Sequence, residues 1–298
     1  MPLYLPPNLP AVAHLEKEHI SLESPPSPAS PLRIAILNLM PLKIETEIDF
    51  VRLLSYTSLN VELRFMRLEG HTSKNTPAEH LLQFYQTFRT LKKERIDGLI
   101  ITGAPVEHLP FEEVDYWEEL CEVFRWAKEK VATTLYICWG ALAGLYYHHQ
   151  IPKYPIDKKM FGVFPHSICA GYENIPIFRG FDSEFYVPHS RYTEVRATDI
   201  EKHSSLSILC TSPIAGVHIV MENEGQAFYI TGHSEYAPLT LHKEYQRDIQ
   251  KGLCIAPPEY YYPNDDCHSF PMVRWRSSAH LFFNNWLQYY VLSLCKEI

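Results

Sequence analysis

Several features are missing from this chain, and each absence argues against a class of function. Its seven cysteines (Cys121, Cys138, Cys169, Cys210, Cys254, Cys267 and Cys295) are widely scattered and form no CxxC pair. An odd, dispersed set of this kind argues against a disulfide framework and against a structural zinc site, so no metal is expected. No apolar run approaches the ~18 residues that a membrane-spanning helix needs. The opening Met1-Pro-Leu-Tyr-Leu-Pro-Pro has neither the charged nor the apolar region of a signal peptide, and the expected compartment is the cytosol. Lys and Arg number 27 against 35 Asp and Glu, a net charge of -8 with no basic cluster. That balance disfavours nucleic acid and anionic membranes as partners. Neither the Gly-x-x-x-x-Gly-Lys phosphate loop nor the Gly-x-Gly-x-x-Gly dinucleotide turn occurs.

What the 298 residues do contain is an alternation of buried strands and amphipathic helices. An irregular arm over residues 1–31 includes the Pro- and Ser-rich stretch Ser24 to Pro31, which reads as flexible. Leu32 to Leu39 is a continuous apolar run, as a strand buried on both faces requires. Thr46 and Asp49 resemble a capping box for a helix through Leu54. Val61 to Leu68 alternates apolar and charged residues and reads as a more exposed strand. Thr76-Pro77-Ala78-Glu79 carries the cap, first-turn proline and back-reaching glutamate of a helix start, with helical spacing continuing to Phe88. Gly98 to Thr102 is a third strand, Tyr116 to Lys130 a helix, and Leu135 to Ile137 a fourth strand.

Four such repeats imply right-handed crossovers and an α/β fold with an open, mostly parallel, doubly wound sheet. Ligands gather at the carboxyl ends of such strands, here the loops Asn38–Lys43, Thr102–His108 and Cys138–Ala141. The chain is expected to form a single domain. Ile151 to Ser212 is less regular, rich in proline and aromatic residues, and is expected to be an insertion covering the site. Strands return at Val217–Met221 and Gln226–Thr231, and helices at Leu239–Lys251 and His280–Leu294. The pair His148-His149 lacks ligand spacing and is expected at a helix end or in solvent.

Cys138 falls where a strand gives way to a helix. The free N–H groups and dipole of that helix favour a thiolate, and Gly140 would allow a sharp turn and the approach of another group. The same placement also fits a buried cysteine closing a core strand. His233 and Glu235 follow another predicted strand. Alternate residues of an extended segment share a side, so the carboxylate could fix the imidazole tautomer and leave the other nitrogen as a base. A surface turn is the alternative for so short a pattern. Beside Cys138 these two would complete a Cys-His-Glu relay, with Trp139, Gly103 and Ala104 as backbone donors to a tetrahedral oxyanion. Losing one such donor costs ~2.7–4 kcal/mol of transition-state stabilisation.

Asn38-Leu-Met-Pro41 with Lys43, Asn75-Thr-Pro-Ala-Glu-His80, Ile101-Thr-Gly-Ala-Pro105, Cys138-Trp139 and Pro188-His-Ser-Arg191 recur together in one family. So do Gly232-His-x-Glu-Tyr236, Trp275-Arg276 and Asn285-Trp-Leu. On these motifs, spread along the whole chain, the sequence resembles the homoserine O-acyltransferases, whose fold is of the class I glutamine amidotransferase, flavodoxin-like type. The resemblance implies that Cys138 takes an acyl group from acyl-CoA as a thioester. His233, oriented by Glu235, then deprotonates the hydroxyl of L-homoserine, in methionine biosynthesis. It places Lys159, Ser190 and Arg247 at substrate contacts, Arg247 suiting the α-carboxylate, with Lys43 near the site.

Acyl choice in this family turns on the position of Glu107. A glutamate there repels and crowds a succinyl carboxylate, so acetyl-CoA is the expected co-substrate, with no further cofactor. Leu142 stands where related chains carry Gln, and serine remains open as an acceptor. Homoserine O-succinyltransferase, serine O-acetyltransferase, a glutaminase-type cysteine hydrolase and a ligand-binding module that has lost its chemistry are the alternatives. A homodimer is the base expectation.

Overall fold

The alternating directions of side chains along the central strands organise the fold. The computed structural model describes residues 3–20, 31–71, 73 and 75–294. In chain order the first half contains β1 (Leu3–Tyr4), α1 (Pro10–Lys17), β2 (Leu32–Leu37), α2 (Lys43–Leu54), β3 (Val61–Arg67), α3 (Ala78–Phe84), β4 (Tyr85–Thr87), α4 (Phe88–Leu91), β5 (Gly98–Ile101), α5 (Trp117–Lys130), β6 (Thr133–Ile137) and α6 (Trp139–His149). The second half adds β7 (Tyr154–Ile168), β8 (Glu184–Glu194), α7 (Ala197–Ile200), β9 (Leu206–Ser212), β10 (Gly216–Glu222), β11 (Ala227–Ile230), α8 (Thr240–Gln250) and α9 (Arg276–Trp286).

The strands form one sheet in the order β1-β3-β2-β5-β6-β11-β10-β9-β7-β8, with β4 paired to β3. From β1 to β11 neighbouring strands run parallel, and from β11 outward they run antiparallel. On one face Ile34, Ile36, Phe65, Ile100, Leu135, Ile137 and Phe228 pack with Phe50 and Leu54 of α2 and with Phe282 and Trp286 of α9. The interleaved Ala35, Leu37, Met66, Leu99, Ile101, Tyr136 and Tyr229 face the other way, onto Phe88, Leu120, Phe124 and Leu145. Period-two alternation on strands buried on both sides therefore produces the doubly wound layering.

Several expectations are corrected. The arm is not irregular throughout: β1 pairs with β3, and α1 buries Ala11 and Leu15. Most of the Pro- and Ser-rich stretch, like Cys295, lies outside the described residues. Helix α2 begins at Lys43 and has no side-chain cap. Thr46 bonds back to the Leu42 carbonyl at 3.2 Å, and Asp49 pairs with Arg52 at 2.8 Å.

The helix read as continuous to Phe88 stops at Phe84. Tyr85–Thr87 pairs instead with Phe65–Arg67, and the Tyr85 hydroxyl donates to Glu47 at 2.6 Å. Pro77 takes the cap position, and the Thr76 hydroxyl, buried, has no partner.

The middle of the chain is regular. β7 and β8 form a long hairpin with a bulge between Pro155 and Met160. Its other edge meets β9 only at Ser167 and Ile168, so Pro165 interrupts no ladder on that side. His148 and His149 end α6 but are not solvated: His148 Nε2 lies 3.2 Å from the Tyr136 hydroxyl, and His149 lies 3.2 Å from Glu222. The last helix starts at Arg276 and passes through a π-turn at Leu287–Val291.

Gly140 seats α6 on β5. A Cβ there would lie 2.7 Å from the Thr102 carbonyl oxygen and 3.0 Å from that of Ile101, both rigid backbone. Gly140→Ala is therefore expected to destabilise the protein by about 1–3 kcal/mol, read as a lower urea midpoint at unchanged slope. A variant as stable as the parent would show that this contact has room to give.

Candidate active site

Cys138 ends β6 and adopts φ 52°, ψ -118°, a conformation that costs a non-glycine residue on the order of 1–3 kcal/mol. The sharp turn expected of Gly140 is thus made at Cys138 itself. Its N–H donates to the Ile230 carbonyl at 2.7 Å, and its carbonyl accepts from Ala141 at 2.9 Å and Leu142 at 3.2 Å. The strained residue is held from both sides, in the manner of a nucleophile elbow between strand and helix. Since β6 and β11 are parallel neighbours, the residues following each strand emerge side by side.

The segment after β11 brings His233 to the sulfur. The His233 N–H donates to the Pro188 carbonyl at 2.8 Å, tying it to β8. His233 and Glu235 meet across a turn rather than along an extended strand, with Tyr236 N–H returning to the His233 carbonyl at 3.3 Å. His233 Nδ1 donates to Glu235 Oε1 at 2.6 Å, and the Cys138 side chain lies by the imidazole, both beside Gly103 and lining one cleft. Burial opposes charge on the ring, but the negative charges of Cys138 and Glu235 outweigh it and raise the His233 pKa well above its ordinary value. The Tyr236 ring stacks on the imidazole at 4.2 Å and 12°, and the Trp275 indole N–H holds the Tyr236 carbonyl at 2.9 Å.

Cys138 and His233 open onto a cleft of about 190 Å³ that is also lined by Met40, Gly103, Ala104, Glu107, Lys159, Ser190, Tyr192, Glu244 and Arg247. A Cβ on Gly103 would lie 3.2 Å from Cys138 Cβ and 3.6 Å from His233 Cε1, so the Gly103-Ala104 turn faces these two side chains. Trp139 opens α6, while its indole is buried beside Phe111 and Tyr116. Glu107 enters from the loop after β5. Its carboxylate accepts from the Tyr192 N–H at 2.8 Å and the Thr193 hydroxyl at 3.1 Å.

The Lys159 side chain is 9% exposed and lies 3.2 Å from Asp248 and 3.6 Å from Glu244. Ser190 donates to Glu244 at 2.6 Å, and Arg247 donates to Asp248 at 2.8 Å. Lys43 does not line the cleft. Buried, with its pKa pushed down to about 8 by desolvation, it donates to the carbonyls of Asn38 and Met40 and so pins the loop that carries Met40 to the cleft wall. Leu142 packs in the core beside Trp139, away from the cleft.

Sequence reasoning missed Glu244 and Asp248, although their spacing with Arg247 puts them on one face of α8. It also missed the buried network under the Met40 loop. There Glu47 lies 2.8 Å from His80 Nε2 and accepts from Tyr85, and Asn38 donates to the Tyr85 hydroxyl at 2.9 Å. One further group, His166, His189 and His218, brings three buried ring nitrogens within 4.8 Å of one another, as a metal site would. Two of the three are joined in a hydrogen-bonded chain. Arg191 donates to His189 Nδ1 at 3.3 Å, leaving His189 Nε2 to donate to His166 Nε2 at 3.2 Å. His166 Nδ1 then donates to the Phe164 carbonyl at 2.9 Å. A guanidinium beside the group further disfavours a cation.

Comparison with known proteins gives the family and the fold. A family model described as homoserine O-succinyltransferase matches residues 2–296. The homoserine O-acetyltransferase of Bacteroides fragilis is 56% identical over 98% of this chain and 96% of its own length. That of Parabacteroides distasonis is 55% identical over 98% and 94%, and that of Brevibacillus brevis 51% identical over 98% and 96%. Among solved structures, a glutamine amidotransferase from Thermotoga maritima aligns with a TM-score of 0.58 at 13% identity, over 88% of this chain and 99% of that one. A second, from Methylobacillus flagellatus, gives 0.55 at 12% over 87% and 94%. At such identities these two structures speak to fold alone, which is that of the class I glutamine amidotransferases. By the match of nearly its whole length, the chain belongs to the homoserine O-succinyltransferase family of homoserine acyltransferases.

Proposed function

We infer that the protein is a homoserine O-acetyltransferase of the cytosol, moving acetyl from acetyl-CoA to L-homoserine for methionine biosynthesis. The observation that carries this reading is the placing of Cys138 beside His233, itself hydrogen-bonded to Glu235, on a cleft that Glu107 narrows. The names of relatives more than half identical support it.

In the first half-reaction the Cys138 sulfur attacks the thioester carbonyl, with N–H groups of Gly103, Ala104 and Trp139 as donors to the oxyanion. Collapse breaks the carbonyl–sulfur bond to CoA, and the His233 imidazolium gives its proton to the departing thiolate. In the second, neutral His233 takes the proton of the homoserine hydroxyl while that oxygen attacks the acetyl-cysteine. Cys138 leaves as thiolate beside a re-formed imidazolium. Glu235 fixes the ring and offsets its charge throughout. Lys159, Ser190 and Arg247 contact the amino-acid substrate, and Glu244 and Asp248 hold them in place beforehand.

Glu107 selects the acyl group. Its carboxylate is anchored on β8, so it cannot swing clear of a succinyl carboxylate without giving up two hydrogen bonds. Two unit charges about 4 Å apart near a protein surface repel by ~4 kcal/mol. Acetyl carries no such charge.

Wild-type protein mixed with acetyl-CoA alone is expected to release CoA in a burst of one equivalent and to gain the mass of an acetyl group on Cys138, with Cys138→Ala showing neither. A burst that requires homoserine, or ammonia release from glutamine in its place, would overturn the covalent acetyl route. Glu107→Gly is expected to relax the acetyl preference toward succinyl-CoA by about 10²-fold, measured as the ratio of kcat/KM for the two donors. An unchanged ratio would remove Glu107 from acyl selection.

A further inference from the structure

Beside the catalytic cleft lies a second, larger groove of about 510 Å³, lined by Asp157, Lys158 and Phe161 of β7 and by the segment Leu253–Pro257. Lys159 and Tyr192 line both hollows, so the groove continues the cleft rather than standing apart from it. Resting on the acetyltransferase reading, we propose that this groove holds the pantetheine arm of the acyl-CoA donor.

Three properties of the groove point to that occupant. Its outer wall is apolar and exposed: Leu253 is 52% exposed, followed by Cys254, Ile255, Ala256 and two prolines. Its two lysines are already paired, Lys158 with Glu259 at 2.6 Å and Lys159 with Asp248 at 3.2 Å, and Asp157 adds a carboxylate to the lining. The wall therefore suits an uncharged chain better than a phosphate. Among the described residues, no backbone–backbone hydrogen bond involves Cys254, Ile255 or Ala256. The two amides of pantetheine can pair with the backbone groups such a segment leaves free.

The wall is nonetheless fixed at both ends. Leu253 N–H returns to the Asp248 carbonyl at 3.0 Å, and Glu259 exchanges backbone hydrogen bonds of 2.9 Å with Phe161 and Val163. Gly162 permits that last contact, since a Cβ there would lie 2.4 Å from the Glu259 carbonyl oxygen. A preformed wall of this kind costs little ordering on binding.

Ala256→Trp, at an exposed position, fills the groove without touching the cleft. It is expected to lower kcat/KM for acetyl-CoA about tenfold or more while changing that for S-acetyl-N-acetylcysteamine, which lacks most of the arm, less than about twofold. The KM for homoserine should stay at the parent value. Equal losses with both donors, or no loss with either, would overturn the assignment.

An independent reading uses the Cys138→Ala variant, in which no acyl transfer occurs. CoA is expected to slow alkylation of Cys254, followed by peptide mass, in proportion to its occupancy measured by calorimetry. Alkylation at the free rate with CoA bound would place the arm elsewhere. Failure of the parent to turn over either donor would sink the acetyltransferase reading instead, and the alkylation experiment would still judge the groove.

Discussion

The left-handed backbone at Cys138 is the constraint on which the rest of the site depends. A residue with a Cβ resists this conformation, and it persists because neighbours over-determine it. The Ile230 carbonyl takes its N–H, and the first turn of α6 takes its carbonyl. Gly140 lets that helix press directly onto the end of β5. Cys138 both belongs to the core layer and lines the cleft, at the mouth of two parallel strands. The other buried cysteine among the described residues, Cys210, lies away from the cleft, and burial holds its thiol well above its usual pKa.

Charge is arranged around that sulfur with little water to screen it. The imidazole between Cys138 and Glu235 is buried, which opposes charge on it, and its interactions with those two groups raise its pKa well above the ordinary value. Buried ion pairs cost desolvation energy that good geometry must return, and here the geometry is supplied by backbone anchors on two different strands and by the Tyr236 ring stacked on the imidazole.

The sheet divides the chemistry between its halves. The parallel half delivers Cys138, Gly103 and, through the strand next to β6, His233. The antiparallel half delivers Lys159 and Ser190 and supplies the backbone that anchors Glu107. The boundary between the two, at β11, is where parallel pairing gives way to antiparallel and where the relay is assembled. Helix α8 closes the cleft with Glu244, Arg247 and Asp248.

The sequence by itself determined the local alternation of buried strands and helices, the placement of Cys138 and His233 at strand ends, and, through its motifs, the cleft residues Glu107, Lys159, Ser190 and Arg247. These follow from patterns a few residues long: apolar runs for β2, β5 and β6, and short motifs around each functional group. Only the tertiary structure decided that Tyr85–Thr87 leaves its helix to join β3, because that choice depends on Glu47 and Asn38, far away in the chain. It likewise decided that the proline-rich middle is a long hairpin, since pairing partners and register are long-range properties that prolines disguise locally. The same holds for Glu244 and Asp248, ordinary helix-surface acids by their spacing. They became part of the site when β7 and β8 brought Lys159 and Ser190 against them.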